Sequence, residues 1–253
     1  MDWPANLVED IARRRAVIII GSGASRHATN DKGKMPPDWK NFLLQAVIDC
    51  PDKDIDHISV AIGEGDYLHA CEWLKKRFDE QWTPYLRKIF QQPGYDPGDL
   101  HKQIIGLDNR IVFSLNFDDI YERAAQGVHR GSHIVKQYHD RDVGEFLRGD
   151  GRYIVKVHGS LSTPEDLIFT QHDYAKARAN YSAFYQAFDA CLLTHSFLFI
   201  GAGHADPDVN LVLENQAFSF PSSSPHYFFE GRRNEPRSQR LVAQESKLKD
   251  TRV

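Results

Sequence analysis

Apolar residues along this chain recur with two different periods. Short continuous runs form the first class, beginning with Ala16-Val17-Ile18-Ile19-Ile20. That run is rich in β-branched residues and too short for an ordinary helix, so it predicts a strand buried on both faces. Similar runs stand at 110–115, 153–157, 196–200 and 225–229, and 133–138 alternates like a half-exposed strand. Helical periodicity fills the gaps. It predicts a short helix over 5–15 with Leu7 and Ile11 inward, and another from residue 36 with Trp39, Phe42, Leu43, Ala46 and Val47 on one face. Pro36 and Pro37 stand where a first turn tolerates proline. Further helices are predicted over 67–78, 82–90 and 173–194, the last with Tyr174, Phe184, Phe188, Cys191 and Leu192 as its core stripe.

Strands alternating with helices predict an α/β fold, Rossmann-like, with a mostly parallel sheet covered by helices on both faces. The helical stretch 36–105 interrupts it between the first two strands, so residues 1–35 and 106–253 form the main domain and 36–105 a smaller helical lobe. The turn-forming run Pro93-Gly94-Tyr95-Asp96-Pro97-Gly98 returns the chain to the main body. The tail from Gly231 is rich in charge and stops without a closing element, which predicts that the sequence is a piece of a longer protein.

Composition narrows the picture modestly. At 253 residues the chain can bury one large core, or one core with a lobe beside it. A formal net charge of −4 provides no general attraction to nucleic acid or to anionic membrane. No apolar stretch approaches the length of a membrane span, and Met1-Asp2-Trp3-Pro4 does not begin a signal peptide. Cys50, Cys71 and Cys191 are odd in number and widely spaced, which fits reduced thiols in a cytoplasm better than a disulfide framework.

Chemistry collects at the strand ends, where an open α/β sheet binds its ligands. The first strand runs into Gly21-Ser22-Gly23-Ala24-Ser25, a turn without bulky side chains that is expected to present backbone N–H groups to a phosphate. A dinucleotide-binding fingerprint G-x-G-x-x-G would place glycine at position 26; Arg26 stands there, which argues against an ordinary hydride-transfer enzyme. Asn116 and Asp118 follow the second strand, suited to a ribose hydroxyl, a water or an amide NH2, although Asp118 and Asp119 are equally placed to cap the next helix. His158 follows another strand and precedes glycine, which leaves an imidazole near open space for proton transfer. The turn after Ile200 repeats the glycine pattern at Gly201-Ala202-Gly203, with Asp206 and Asp208 beyond it as ribose contacts or helix caps.

Taken together these segments resemble the SIR2-like family of sirtuin-related, NAD-consuming domains. Gly21-Ser22-Gly23-Ala24-Ser25 is similar to its G-A-G-x-S turn, Ser114-Leu115-Asn116-Phe117-Asp118 to T-x-N-x-D, Lys156-Val157-His158-Gly159-Ser160 to K-x-H-G-S, and Phe199-Ile200-Gly201 with Asp206-Pro207-Asp208 to the F-I-G-x-x-x-x-D-P pattern of its bacterial branch. The resemblance implies Asn116 and His158 as catalytic residues and Asp118 at the nicotinamide amide. The turn Gly21, Ser22, Gly23, Ala24 and Ser25 would lie at the pyrophosphate, with Gly201 and Asp206 among the nucleotide contacts. NAD+ would then be a substrate cleaved at its nicotinamide–ribose bond, with no metal needed. The paired Cys-x-x-Cys zinc module common in sirtuin deacylases is absent from the sequence. This departure favours the bacterial branch, whose members hydrolyse NAD+ in anti-phage defence and work as oligomers or with a partner such as an ATPase or an Argonaute-like protein. A non-catalytic NAD or ADP-ribose sensor and an NAD-dependent deacylase are the competing readings.

Overall fold

A computed structural model describes residues 3–52, 54–202, 209–210, 213–214, 225–231 and 239–244. Its centre is a seven-stranded sheet with spatial order β3-β4-β2-β1-β5-β6-β7. The strands are β1 (Ala16–Ile20), β2 (Ile111–Ser114), β3 (His133–Gln137), β4 (Arg152–Lys156), β5 (Ser196–Ile200), β6 (His226–Gly231) and β7 (Gln239–Gln244). The first six run parallel, and β7 pairs antiparallel with β6. The Rossmann-like α/β reading is therefore correct.

Alternation along β1 shows why its run is apolar throughout. Val17 and Ile19 face one side, joining Phe113, Val155, Phe197 and Phe199 beneath α10 (Gln171–Asn180) and α11 (Ser182–Thr194). Ala16, Ile18 and Ile20 face the other side, against α1 (Ala5–Ala12), α7 (Asp99–Gly106) and α8 (Ile120–His129). A strand covered on both faces has no solvent side on which to place polar residues. Each large apolar side chain so buried contributes about 1.5–3 kcal/mol.

Between β1 and β2, after the one-turn helix α2 (Ser22–Ser25), helices α3 (Trp39–Asp49), α4 (Asp56–Glu64), α5 (Tyr67–Phe78) and α6 (Trp82–Phe90) build a separate cluster around Phe42, Ile58, Leu74, Trp82 and Leu86, and a further one-turn helix, α9 (Glu145–Arg148), precedes β4. Leu161, Leu167 and Phe169, from the segment after β4, complete that cluster and tie it to the sheet's carboxyl rim. The last helix before β2 behaves differently, since Ile104 and Ile105 of α7 pack beneath the sheet.

Three local features differ from the periodicity. Pro36 and Pro37 precede α3 instead of opening it; Asp38 is the cap, its carboxylate accepting from Asn41 N at 2.8 Å. The helix expected over 173–194 is two helices, broken at Tyr181, and the first begins at a reciprocal cap between Thr170 and Asp173. Helix α4 falls within the helical stretch 36–105 but between the individual helices that the periodicity predicts there. It buries only Ile58, Ala61 and Ile62, and ends at Gly65 in the left-handed region, φ 84°.

Candidate functional site

In-register pairing brings four strand ends to one level. Ile20 lies opposite both Ser114 and Ile200, and Ser114 lies opposite Lys156. Segments leaving β1, β2, β4 and β5 therefore meet at one rim, as expected for a ligand site in an open parallel sheet.

The two glycine turns lock into each other. Gly21 N donates to Ile200 O at 3.1 Å and Gly23 N donates to Gly201 O at 2.9 Å. A Cβ on Gly21 would stand 2.6 Å from Ala202 Cα, and one on Gly23 2.8 Å from Gly201 Cα. Gly201 itself has φ +62°, and its Cβ would fall 2.2 Å from Ala24 N. The glycines thus let two backbones touch, and the amides of Gly21 and Gly23 are engaged within the protein. They are not bare donors awaiting a phosphate. Ala24 turns into the core, while Ser22 and Ser25 face the rim.

Next to this junction is a compact polar network. Asn116 donates from Nδ2 to Gly21 O and to Ser25 Oγ, each at 2.9 Å. Ser25 Oγ in turn donates to Asp118 Oδ2 at 2.8 Å, and Ile120 N donates to Asp118 Oδ1 at 3.1 Å. Asp118 therefore meets the start of α8 and the candidate site with different oxygens. Asp119 makes no capping bond and pairs with Arg123 at 3.0 Å instead. Both amide hydrogens of Asn116 are committed, so its carbonyl oxygen is the atom left to accept from a water or a ribose hydroxyl.

His158 joins the network through the backbone. Its Nδ1 is 3.1 Å from Leu115 O, and because a carbonyl only accepts, Nδ1 carries the hydrogen. In the neutral ring Nε2 then holds the lone pair, and the Tyr174 hydroxyl donates to it across 3.4 Å. Gly159, with φ +80°, makes the turn that follows; a Cβ there would stand 2.7 Å from Asp166 O.

Beneath the Asn116–Asp118 turn lies an ion pair whose lysine belongs to the Lys156-Val157-His158-Gly159-Ser160 segment but whose partners the motifs do not reveal. Lys156 is buried, forms an ion pair with Glu122 Oε1, and donates to the backbone carbonyl of Asp118. A lysine at the end of the apolar run 153–157 was the available signal, because a buried ammonium requires partners. Burial raises the Glu122 pKa, with the Lys156 charge opposing the shift.

Ser22, Ser25, Asn116 and Asp118 line one small cavity, closed on its other side by Pro36, Pro37, Trp39, Phe42 and Phe90. It measures about 30 Å³, room for a water or two and far too little for a dinucleotide. The segment forming that wall is held by Arg26, the residue at the third glycine position, whose Nη1 lies 2.8 Å from Asp38 Oδ2. An open cleft of about 800 Å³, lined by Lys32, Lys34 and Lys88 among others, shares Pro37 with the small cavity. Asp206 lies outside the described residues. Among the described residues no cluster of His, Cys, Asp and Glu is suited to a metal ion, and no helix is long and apolar enough to cross a membrane.

The parallel sheet, its glycine junction and the polar rim at the strands' carboxyl ends define a Rossmann-like class of α/β domain. The family model of the SIR2-like domain matches residues 110–249, more than half of the chain, and the chain belongs to that family. The match includes Asn116 and His158 and begins after the first glycine turn. Over 225 residues the chain is 23% identical to the NAD(+) hydrolase ThsA of Acinetobacter baumannii (strain 532279), covering 88% of this chain and 43% of that protein. It is 26% identical over 131 residues to Defense-associated sirtuin 2 of Bacillus subtilis, covering 51% of this chain and 13% of that protein. A third relative, the NAD(+) hydrolase ThsA of Enterococcus faecium, is 22% identical over 129 residues, with 50% and 27% covered. The chain spans less than half the length of each of these relatives.

Proposed function

We propose that this protein is an NAD+ glycohydrolase that releases nicotinamide and ADP-ribose. The observation that carries the reading is the Ser25–Asn116–Asp118 network beside a histidine whose tautomer directs a lone pair away from the backbone. Relatives named NAD(+) hydrolase support the same chemistry. In the reaction the bond between ribose C1′ and the nicotinamide nitrogen breaks, and its electron pair leaves with nicotinamide. Water adds to C1′, and one of its protons is lost. Asn116 positions the water or a ribose hydroxyl through its carbonyl oxygen, and His158 Nε2 accepts a proton from the same region. Asp118 meets the nicotinamide amide, and Ser22 and Ser25 with the Gly21, Gly23, Ala24 and Gly201 backbone shape the pyrophosphate side; we assign Asp206 to the ribose. The reaction as written needs no metal.

The small volume of the cavity imposes a condition on this chemistry. NAD+ would be admitted by movement of the Pro36–Trp39 wall, with the lysine-bearing cleft across Pro37 as the approach for a pyrophosphate. We therefore take helices α3 to α6 of the 36–105 stretch, leaving α7 with the sheet, as a small lobe that gates the main domain, opened by oligomerisation or by a partner protein such as an ATPase or an Argonaute-like protein. We further propose that it acts as a cytoplasmic effector of anti-phage defence; the defence part of that reading is supported by the likeness to Defense-associated sirtuin 2 of Bacillus subtilis.

Nicotinamide release from NAD+ is the direct test, measured on the whole assembled protein. Asn116→Ala and His158→Ala are each expected to reduce release about a hundredfold or more while the protein stays folded. Release that survives both substitutions would refute the assignment. Bound but intact NAD+ after long incubation would indicate the sensor reading, and consumption only with an acyl-lysine peptide would indicate a deacylase.

A further inference from the structure

Lys156 is the last residue of β4, and its side chain is only 1% exposed. Its neighbours Tyr153, Ile154, Val155 and Val157 are all buried and apolar or aromatic. The ammonium reaches Glu122 Oε1, in the first turn of α8, and the backbone oxygen of Asp118. Glu122 Oε2 is buried and makes no hydrogen bond among the described residues.

As a source of stability such a pair is a poor device. Desolvating each charge costs several kcal/mol, and replacing a buried pair by apolar residues of similar volume is often neutral or stabilising. Removing one partner alone is what damages a fold, because the other charge is left buried and uncompensated. The placement of the pair explains more than its energy does. Lys156 holds the backbone of Asp118, whose carboxylate receives Ser25 and Ile120 N, and Asn116 lies two residues earlier on the same turn. The ammonium fixes that turn from below, and Gly21 and Ser25 fix it from above.

We infer that Lys156, oriented by Glu122, is a positioning residue that holds the Asn116–Asp118 turn in its working geometry. It touches no substrate. Its kinetic consequence rests on the glycohydrolase reading, but its effect on the turn does not.

The test uses the full chain in its working assembly, with both charges removed together as Lys156→Met with Glu122→Leu. The double variant is expected to unfold at close to the wild-type denaturant concentration. Its kcat for nicotinamide release should fall about tenfold to a hundredfold with a smaller change in KM, because misplacing a reacting group by about 1 Å has effects of that size. Backbone amides over 116–120 should exchange with solvent about tenfold faster, reporting local opening of the turn. Glu122→Gln leaves the Lys156 ammonium uncompensated, so it should unfold at a lower denaturant concentration than wild type; it keeps an oxygen acceptor for Nζ and the bond to Asp118, so kcat per folded molecule should stay within about threefold of wild type. Wild-type kcat with unchanged exchange in the double variant would overturn the inference. So would failure of the double variant to fold, since the pair would then be holding the whole structure, or a Glu122→Gln loss equal to that of the double variant. If the wild-type protein itself releases no nicotinamide, the glycohydrolase reading fails, and amide exchange alone decides the role of Lys156.

Discussion

Two buried histidines stand at opposite rims of the same sheet. His226, where β6 begins, accepts from Phe197 N through Nδ1 at 3.2 Å and lies edge-on to the Phe197 ring. His158, just past the end of β4, directs the same nitrogen at Leu115 O and so donates from it. Burial is nearly identical, at 8% and 5% exposure, yet the hydrogen-bond polarity is opposite. An imidazole whose Nδ1 accepts from a strand amide serves as part of the ladder, and a proton on that atom would break the bond. An imidazole whose Nδ1 is held by a carbonyl presents Nε2 as its lone-pair nitrogen. Burial alone therefore does not separate a structural histidine from a reactive one. The first atom that each ring meets does.

His158 keeps its carbonyl partner only while the rim around it stays assembled, and Gly201 is where that assembly is most vulnerable. Gly201→Ala would force a side chain into the left-handed region and drive its Cβ against the backbone of Ala24 and Gly23. Left-handed strain and overpacking together should cost roughly 3 kcal/mol or more. Denaturant unfolding measures it directly. A loss below about 1 kcal/mol would show that the two turns can slide apart, leaving the rim looser than its backbone contacts imply.

His226 supplies the next effect, in acid. Burial lowers its pKa from 6.5 to about 4. The unfolded chain therefore binds a proton that the folded chain refuses, and stability is complete above about pH 6.5 and falls as the pH drops towards 4. Over that whole window the loss approaches about 3 kcal/mol. Unfolding measured at several pH values for wild type and His226→Leu isolates this contribution, since carboxylates titrating in the same range affect both proteins. The variant should show the shallower pH slope and unchanged nicotinamide release. Parallel slopes would mean that His226 is protonated in the fold, which would remove its contrast with His158.

The sheet was legible because a strand buried on both faces has only apolar residues to show, as β1 and β5 do. Helix α4 and strand β7 were not. The first is short with three buried residues, and the second offers only Leu241-Val242-Ala243 within a polar tail. Asn116 and His158 stood out because each follows a buried strand directly, which fixes its rim without knowledge of the packing. The glycine turn is legible in the sequence, but the partners of its amides are not. The carbonyls that engage Gly21 and Gly23 belong to residues 200 and 201, and no local pattern announces a partner so distant. The same limit hid the Lys156–Glu122 pair. Tyr174 fell within a helical core stripe, and the bond that its hydroxyl makes exists only once α10 is laid over β4.

Tyr174→Phe makes the smallest and most selective change. The ring packs in the core cluster above the sheet, and phenylalanine preserves that packing. Only the hydroxyl is lost, and with it the donor 3.4 Å from His158 Nε2. A single neutral hydrogen bond contributes about 1 kcal/mol to stability, so the unfolding free energy should barely move. Turnover should respond more, because a ring that has lost this donor at Nε2 is freer to pivot about the Nδ1 bond and misplace Nε2. A drop of about tenfold in kcat, with KM little changed, is the expected result, to be read from initial rates of nicotinamide release. If release is unchanged, the hydroxyl contributes nothing to turnover and Tyr174 is core packing, as its place in the apolar stripe implied. The His158 ring would then keep its orientation without that hydroxyl, with Nδ1 still held by Leu115 O.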